Sequence, residues 1–121
     1  MHVLHQGRAE YTLITPVPGS APHIAHVIMG TNVTAGETRQ LVVGTGVWKV
    51  SRIPDADVQD ARTAEQRART GCLITEVVTP GFHWEDHQYL TREALADLLR
   101  FDERREERVK ELLPFVKPPH L

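Results

Sequence analysis

Several features common in proteins are scarce in this sequence of 121 residues, and each scarcity argues against a class of protein. There is a single cysteine, Cys72, so no disulfide can form within the chain, and we expect the reducing cytoplasm as its location. No apolar run approaches the ~20 residues that span a bilayer, and residues 1–10 lack the apolar core of a signal peptide. The net charge is only −2, which argues against a nucleic-acid binder because such proteins present a basic face.

Short β-like segments fill the first two thirds of the sequence. Residues 8–15 alternate apolar and polar side chains, and residues 24–29 form a second candidate strand. We predict that residues 38–43 and 47–53 pair with each other across Gly44-Thr-Gly46. Cys72 to Thr79 is rich in β-branched residues, which predicts a central strand. Short strands separated by glycine and proline favour a β-sandwich or barrel.

Two other segments have a different composition. Residues 55–70 are polar, and we interpret them as an exposed insertion loop with room for a short helix. Residues 91–113 predict a helical tail, in which Thr91 is the N-cap and Leu95, Leu98 and Leu99 form the apolar face. No linker divides the chain, so we expect one domain over residues 1–121.

Three runs of sequence carry a resemblance to a known family. They are Gly36-Glu-Thr-Arg-Gln-Leu-Val-Val-Gly-Thr-Gly-Val-Trp-Lys-Val-Ser51, Gly71-Cys-Leu-Ile-Thr-Glu-Val-Val-Thr-Pro-Gly-Phe-His-Trp-Glu-Asp-His87 and His2-Val-Leu-His-Gln-Gly-Arg-Ala-Glu-Tyr-Thr-Leu-Ile14. The first resembles the second cupin signature as the DUF985 (cupin-5) family has it. The second resembles that family's closing strand and Pro-Gly-Phe turn, and the third the end of its first signature. The resemblance covers most of residues 2–95 and implies a cupin jelly roll.

The resemblance also implies features outside the matched runs. Members of the family carry further residues in front of this point, so the chain would lack the first strands of the jelly roll. A sandwich without those strands would expose open edges that need a cover. Strand exchange between two copies is one such cover, and the homodimers of the family imply the same state.

Many cupins hold a divalent metal through three histidines and a glutamate, a donor set that suits Fe, Mn, Ni or Zn. The resemblance places Lys49 where the second signature has its histidine, and a cationic lysine is a poor ligand. Of the first signature only His2 and His5 are present. We therefore expect a site without a metal cofactor, with a divalent metal as the alternative.

Lys49 and Glu76 are the candidate catalytic residues. Strand alternation places Lys49 and Ser51 on one face and Trp48 on the other, and the resemblance favours an inward Lys49. An inward Lys49 would hold an anionic substrate or act in acid–base chemistry, whereas an outward one would be a solvated side chain. Glu76 lies in an apolar run and needs a partner, which makes it half of an acid–base couple or of a structural salt bridge.

Five residues are candidates for contact with a ligand. The resemblance suggests that Gln40 faces inward. Tyr11 and Trp48 could stack on a flat molecule, although a core position is the more ordinary role for Trp48. His5 lies near the start of the chain with His2, either at the mouth of the barrel or in a frayed terminus. The complete set is Gln40, Tyr11, Ser51, Trp48 and His5.

The remaining histidines have weaker signals. His83 and His87 have the spacing of a helical metal pair, but they follow Pro80-Gly81, and the resemblance implies that Asp86 and His87 stabilise a loop. His23 and His26 are expected at the surface or an interface, and His120 in the tail.

These residues support more than one function. The first hypothesis is a metal-independent isomerase, epimerase, dehydratase or cyclase that acts on a small carbonyl-containing metabolite. The alternatives are a non-catalytic ligand-binding cupin, a metal-dependent cupin enzyme, and a storage or structural protein. Fold alone does not choose among them.

Overall fold

The computed structural model describes residues 1–118, and within that range six strands form two three-stranded antiparallel sheets. No helix in this range is long and apolar enough to cross a membrane. The strands are β1 (His2–Gly7), β2 (Ala9–Thr15), β3 (His23–Met29), β4 (Gln40–Leu41), β5 (Trp48–Arg52) and β6 (Cys72–Glu76). The α-helices are α1 (Asp55–Asp60), α2 (Ala64–Arg69), α3 (Arg92–Leu98) and α4 (Arg105–Leu112). Sheet I has the strand order β4-β1-β6, and sheet II has the order β3-β2-β5.

The inner faces of the two sheets pack against each other. In β2, Tyr11 and Leu13 point inward because side chains alternate along a strand, and Ile14 points to the opposite face. The buried inner cluster includes Tyr11 and Met29 from sheet II and Leu41 from sheet I. This arrangement confirms the predicted β-sandwich of the cupin type with helices at its C-terminal end.

The C-terminal helices cover the outer face of sheet II. Leu95 and Leu99 of the α3 region and Leu112 of α4 pack with Ile14 into a second buried cluster. The Thr91 hydroxyl accepts a hydrogen bond from the Ala94 amide at 3.1 Å, which confirms Thr91 as the N-cap. The predicted tail over residues 91–113 is divided into two helices.

The polar segment 55–70 forms two short, mostly exposed helices where a loop with room for one was predicted. Asp57 of α1 is paired with Arg8, which lies between β1 and β2. Arg8 also contacts the buried Glu37 at 3.4 Å. Because Arg8 bonds both carboxylates, it ties the insertion to the point where the chain passes from sheet I to sheet II.

Two of the predicted strand arrangements are wrong. Residues 38–43 and 47–53 do not pair with each other: β4 pairs with β1, and β5 pairs with β2. The Gly44-Thr-Gly46 segment therefore connects two sheets, and it is not a hairpin turn. The strand that starts at Cys72 was predicted to be central, but it is an edge strand of sheet I. The β-branched composition indicates a strand and does not indicate its place in a sheet.

Candidate functional site

Three strands bring one polar side chain each to the same place on the inner face of the sandwich. His2 is the cross-strand partner of both Leu41 and Glu76 in sheet I, so all three side chains share a face. Lys49 of β5 is opposite Leu13 in sheet II, and that face is directed at sheet I. The sandwich therefore brings a lysine from one sheet onto a histidine and a glutamate of the other.

The reactive atoms of these side chains form a small triangle. Lys49 Nζ donates a hydrogen bond to Glu76 Oε1 at 2.6 Å. The same Nζ lies 2.6 Å from Nε2 of His2, and that Nε2 lies 2.8 Å from Glu76 Oε1. The inward orientation predicted for Lys49 is confirmed, and so is its pairing with Glu76.

The surroundings shift the proton affinities of two groups in this triangle. Burial lowers the pKa of His2 below its ordinary value of 6.5, with a smaller contribution from the positive charge of Lys49, while Glu76 acts in the opposite direction. For Glu76, desolvation opposes ionisation, but its hydrogen bonds and attractions to Lys49 and His2 outweigh it and lower the pKa. The site therefore favours a neutral imidazole beside a lysine–carboxylate ion pair.

Apolar and aromatic groups enclose the inner side of this triangle. The ring of Tyr11 meets the His2 ring edge to face, with centroids 5.5 Å apart. Tyr11 is buried, and this desolvation, together with nearby Glu76 and Cys72, raises the pKa of its phenol. Burial likewise raises the pKa of the Cys72 thiol, which keeps this thiol protonated at neutral pH. Tyr11 therefore borders the triangle, and its contact with a ligand stays a prediction.

The outer side of the triangle faces solvent. The side chains of Glu76 and Lys49 are 50% and 34% exposed, whereas His2 is 5% exposed as a residue. Although the Glu76 and Lys49 side chains both point inward, they are not enclosed between the sheets. Lys49 and Glu76 are partly open to solvent where the two sheets face each other, and this half-exposed place around His2, Lys49 and Glu76 is called the recess below.

Three predicted ligand contacts do not fit their placement. Trp48 lies on the outer face of β5 and packs with the helix-covered cluster, because it alternates with Lys49 along the strand. Gln40 is opposite Val3 and faces outward, because it alternates with the buried Leu41 in the two-residue strand β4. His5 bonds the Thr75 hydroxyl at 2.6 Å on the outer side of sheet I.

Ser51 shares the inner face with Lys49 and is the cross-strand partner of Tyr11. This placement is compatible with the ligand contact expected of Ser51, which stays a prediction. Sequence reasoning missed His2 as a site residue, because a position so near the start of the chain is compatible with a frayed terminus as well as with the barrel mouth. The alternation in His2-Val3-Leu4 was the available signal, since it places His2 on the same face as the core residue Leu4. His2 is in fact a buried residue of a central strand.

These residues do not fit the metal site that the fold family suggests. The cluster offers only two ligating groups, the His2 imidazole and the Glu76 carboxylate, and its third member, the Lys49 ammonium, is a cation that cannot ligate a metal. Within residues 1–118, no three His, Cys, Asp or Glu side chains lie close enough together to hold a metal ion.

The other histidines lie away from this recess. His83 caps a short 3-10 helix at Trp84–Asp86 through a hydrogen bond from the Glu85 amide to its Nδ1 at 3.2 Å, and both His83 and His87 are exposed. That segment is a turn, as its Pro-Gly start indicated. His23 and His26 are exposed in β3, and His120 lies outside the described residues.

The fold and the lysine–glutamate recess between two antiparallel sheets are consistent with a cupin. A comparison with family models identifies the family within the cupin superfamily. Residues 1–90 match the model described as Cupin superfamily (DUF985). The chain belongs to this family. Membership supports a small-molecule-binding domain and shows no specific catalytic function.

A comparison with individual proteins finds a relative in Saccharomyces cerevisiae, the uncharacterized protein YML079W. The two sequences are 33% identical over 94 residues, which is 77% of this chain and 40% of the relative. The chain therefore spans well under half the length of this relative.

Proposed function

We propose that this chain forms the ligand site of a small-molecule cupin that moves protons on a small carbonyl-containing metabolite without a metal. The observation that carries the proposal is the contact of 2.6 Å between Lys49 Nζ and Glu76 Oε1 in a recess open to solvent. Isomerisation, epimerisation, dehydration and cyclisation of such a metabolite can each proceed by proton transfer next to the carbonyl. The proposal therefore covers these four reaction types and does not choose among them.

The chemistry assigns one role to each member of the couple. Glu76 would take the proton from the carbon next to the carbonyl, and the electron pair of that C–H bond would move toward the carbonyl oxygen. Lys49 would donate a hydrogen bond to this oxygen as negative charge develops on it. Return of the proton to a different atom or face completes an isomerisation. General acid–base catalysis of this kind contributes about 10²–10⁴-fold to a rate.

The ion pair favours this role for Lys49 over simple capture of an anion. The positive charge of Lys49 is already matched by the Glu76 carboxylate, and His2 next to it is held neutral. An anionic substrate would therefore meet a recess without a free positive charge, whereas a neutral carbonyl needs only a hydrogen-bond donor.

The test is hydrogen exchange in D₂O with a panel of small neutral ketoses, aldoses and ketones, followed by proton NMR. The wild-type chain should exchange the proton next to the carbonyl of at least one compound. Lys49→Met and Glu76→Gln should each slow that exchange by about 10²-fold or more. Retained exchange in both variants would remove the proposal.

The matched control is the ion pair on the outer face of sheet II. Arg52 lies on the same strand as Lys49, and its Nε donates to Glu10 Oε2 at 2.9 Å. Arg52→Met removes a cross-strand ion pair from β5 without changing the recess, so it should keep the wild-type exchange rate.

A non-catalytic binding module is the second candidate. The lowered pKa of Glu76 makes its carboxylate a weak base, which favours binding over proton abstraction. A compound of the panel that raises the melting temperature of the wild-type chain without any exchange would favour this candidate. In that case Lys49→Met should change only the affinity.

We also propose that two copies of the chain associate through sheet I. Strands β4 and β6 both have an unpaired edge in the described part of the chain, and Leu73 on the outer face of β6 is 61% exposed. Light scattering should give twice the chain mass for the wild type and a monomer for Leu73→Glu. A monomeric wild type at micromolar concentration would contradict the proposal.

A further inference from the structure

The Nε2 atom of His2 is close to two groups, one of which requires it to accept a hydrogen bond and the other to donate one. It lies 2.6 Å from the Lys49 ammonium, which can only donate a hydrogen bond, and 2.8 Å from Glu76 Oε1, which accepts one when ionised. A single ring nitrogen cannot satisfy both at the same time. If Nε2 is unprotonated it accepts from Lys49, and if it is protonated it donates to Glu76.

We propose that His2 is a positioning residue for the Lys49–Glu76 couple and that its protonation switches the couple between two arrangements. In the neutral arrangement, His2 holds the Lys49 ammonium against the carboxylate. In the charged arrangement, the imidazolium takes the carboxylate for itself and repels Lys49, which then turns toward solvent.

The burial of the three groups explains why the imidazole is the member that changes. His2 is 5% exposed, whereas the side chains of Lys49 and Glu76 are 34% and 50% exposed and can rearrange into water. Within residues 1–118, the buried Nδ1 of His2 has no hydrogen-bond partner. Nδ1 carries a proton in both arrangements, so its missing partner does not separate them, and the choice depends on the contacts of Nε2.

The groups that face His2 come from every neighbouring strand. Lys49 of β5 and the amino group of the chain disfavour the imidazolium, and Glu76 of β6 favours it. The Tyr11 ring of β2 meets the His2 ring edge to face, and Leu41 of β4 is an apolar cross-strand neighbour. Among the described residues, only Lys49 and Glu76 make close polar contacts with the ring, so the switch depends on these two.

The importance of this switch for catalysis rests on the proposed function, but its geometry does not. The experiment is therefore spectroscopic and uses the whole chain, labelled with nitrogen-15, without any ligand. Nitrogen shifts of the His2 ring report which nitrogen carries the proton, and the Lys49 side-chain nitrogen reports whether the ammonium is hydrogen-bonded, both followed from pH 8 to pH 4.

In the wild type, Nε2 of His2 should be unprotonated at pH 8, and the Lys49 signal should move together with the His2 titration. Lys49→Met should raise the midpoint of that titration because it removes a repulsive charge, and Glu76→Gln should lower it because it removes an attractive one. Arg52→Met, which removes a cation from the opposite face of the same strand as Lys49, is the control and should leave the His2 midpoint unchanged.

A His2 midpoint that does not change in either variant would overturn the inference, and so would a Lys49 signal that is unaffected by the His2 titration. His2→Gln should keep the fold, as checked by circular dichroism, and should remove the pH dependence of the Lys49 signal. A switch seen in these spectra without any carbonyl-proton exchange would disprove the proposed function and leave the inference standing.

Discussion

The two sheets of the sandwich differ in what covers their outer faces. Sheet II is packed under α3 and α4, and Ile14, Leu95 and Leu99 between them are essentially inaccessible to solvent. The outer face of sheet I is exposed by comparison, since Leu73 in β6 and Val42 just after β4 are 61% and 70% accessible to solvent. Most of the close packing is therefore on one side of the molecule.

This difference separates stability from function. The helix-covered side consists of aliphatic side chains whose burial favours folding. The side toward sheet I holds the His2, Lys49 and Glu76 cluster, which contains a histidine without a full set of partners. The packed side can stabilise a fold that tolerates this imperfect polar cluster at its rim.

The largest effect should come from the packed side. Leu99→Ala removes a fully buried side chain and leaves a cavity, so the free energy of unfolding should fall by about 2–5 kcal/mol in urea denaturation. Leu73→Ala on the bare face of sheet I is the control and should change it by less than about 0.5 kcal/mol at concentrations where the chain is monomeric. Equal losses in the two variants would contradict the comparison.

A smaller loss should follow at the half-buried tryptophan beside that packed side. Trp48→Ala should lower the free energy of unfolding by about 2 kcal/mol, less than the usual cost for a fully buried Trp. Because Trp48 points away from the recess, the nitrogen shifts of the His2 ring should stay unchanged. A changed His2 spectrum would place Trp48 back in the site.

The junction between the sheets should be next. Arg8→Met leaves the buried Glu37 carboxylate without its cation and should cost about 1–3 kcal/mol by the same measurement. Glu37→Gln in the same background should recover part of the loss, since a neutral amide needs no cation. Arg104→Met, which breaks an exposed pair with Glu107, is the control and should have little effect.

The smallest effect should be the pH dependence from the recess. A group whose pKa is lower in the folded state loses its contribution as pH falls, because the unfolded state then binds more protons. His2 should lower stability as pH falls below its ordinary value of 6.5, and Glu76 should do so only below its ordinary value of 4.5. Urea denaturation of wild type and His2→Gln at pH 7 and pH 5 measures the first part. An identical pH dependence in both proteins would show that His2 contributes none of it.

Much of the fold could be predicted from local patterns. The alternation in residues 8–15 marked β2, and the cap at Thr91 with leucines at helical spacing marked α3. Alternation also placed Lys49 and Trp48 on opposite faces of β5, which the structure confirms. These features depend on neighbours within a few positions along the chain, so a single sequence shows them.

The partners of each strand could not be predicted in the same way. The pattern of residues 38–53 was compatible with a hairpin, whereas β4 and β5 belong to different sheets. The resemblance suggested an inward Gln40, and a strand of only two residues offers too little alternation to correct that suggestion. His2 was undervalued because its burial depends on β4 and β6, which pair with it from about 40 and 75 positions away.

By itself, the sequence determined which segments form strands or helices and which side chains share a face, because backbone geometry gives each element its own period. The tertiary structure alone decided that Lys49 of sheet II meets His2 and Glu76 of sheet I. That meeting depends on how two sheets pack and in what register, and its two contacts join residues 27 and 47 positions apart. Contacts over such distances along the chain leave no periodic signal in it.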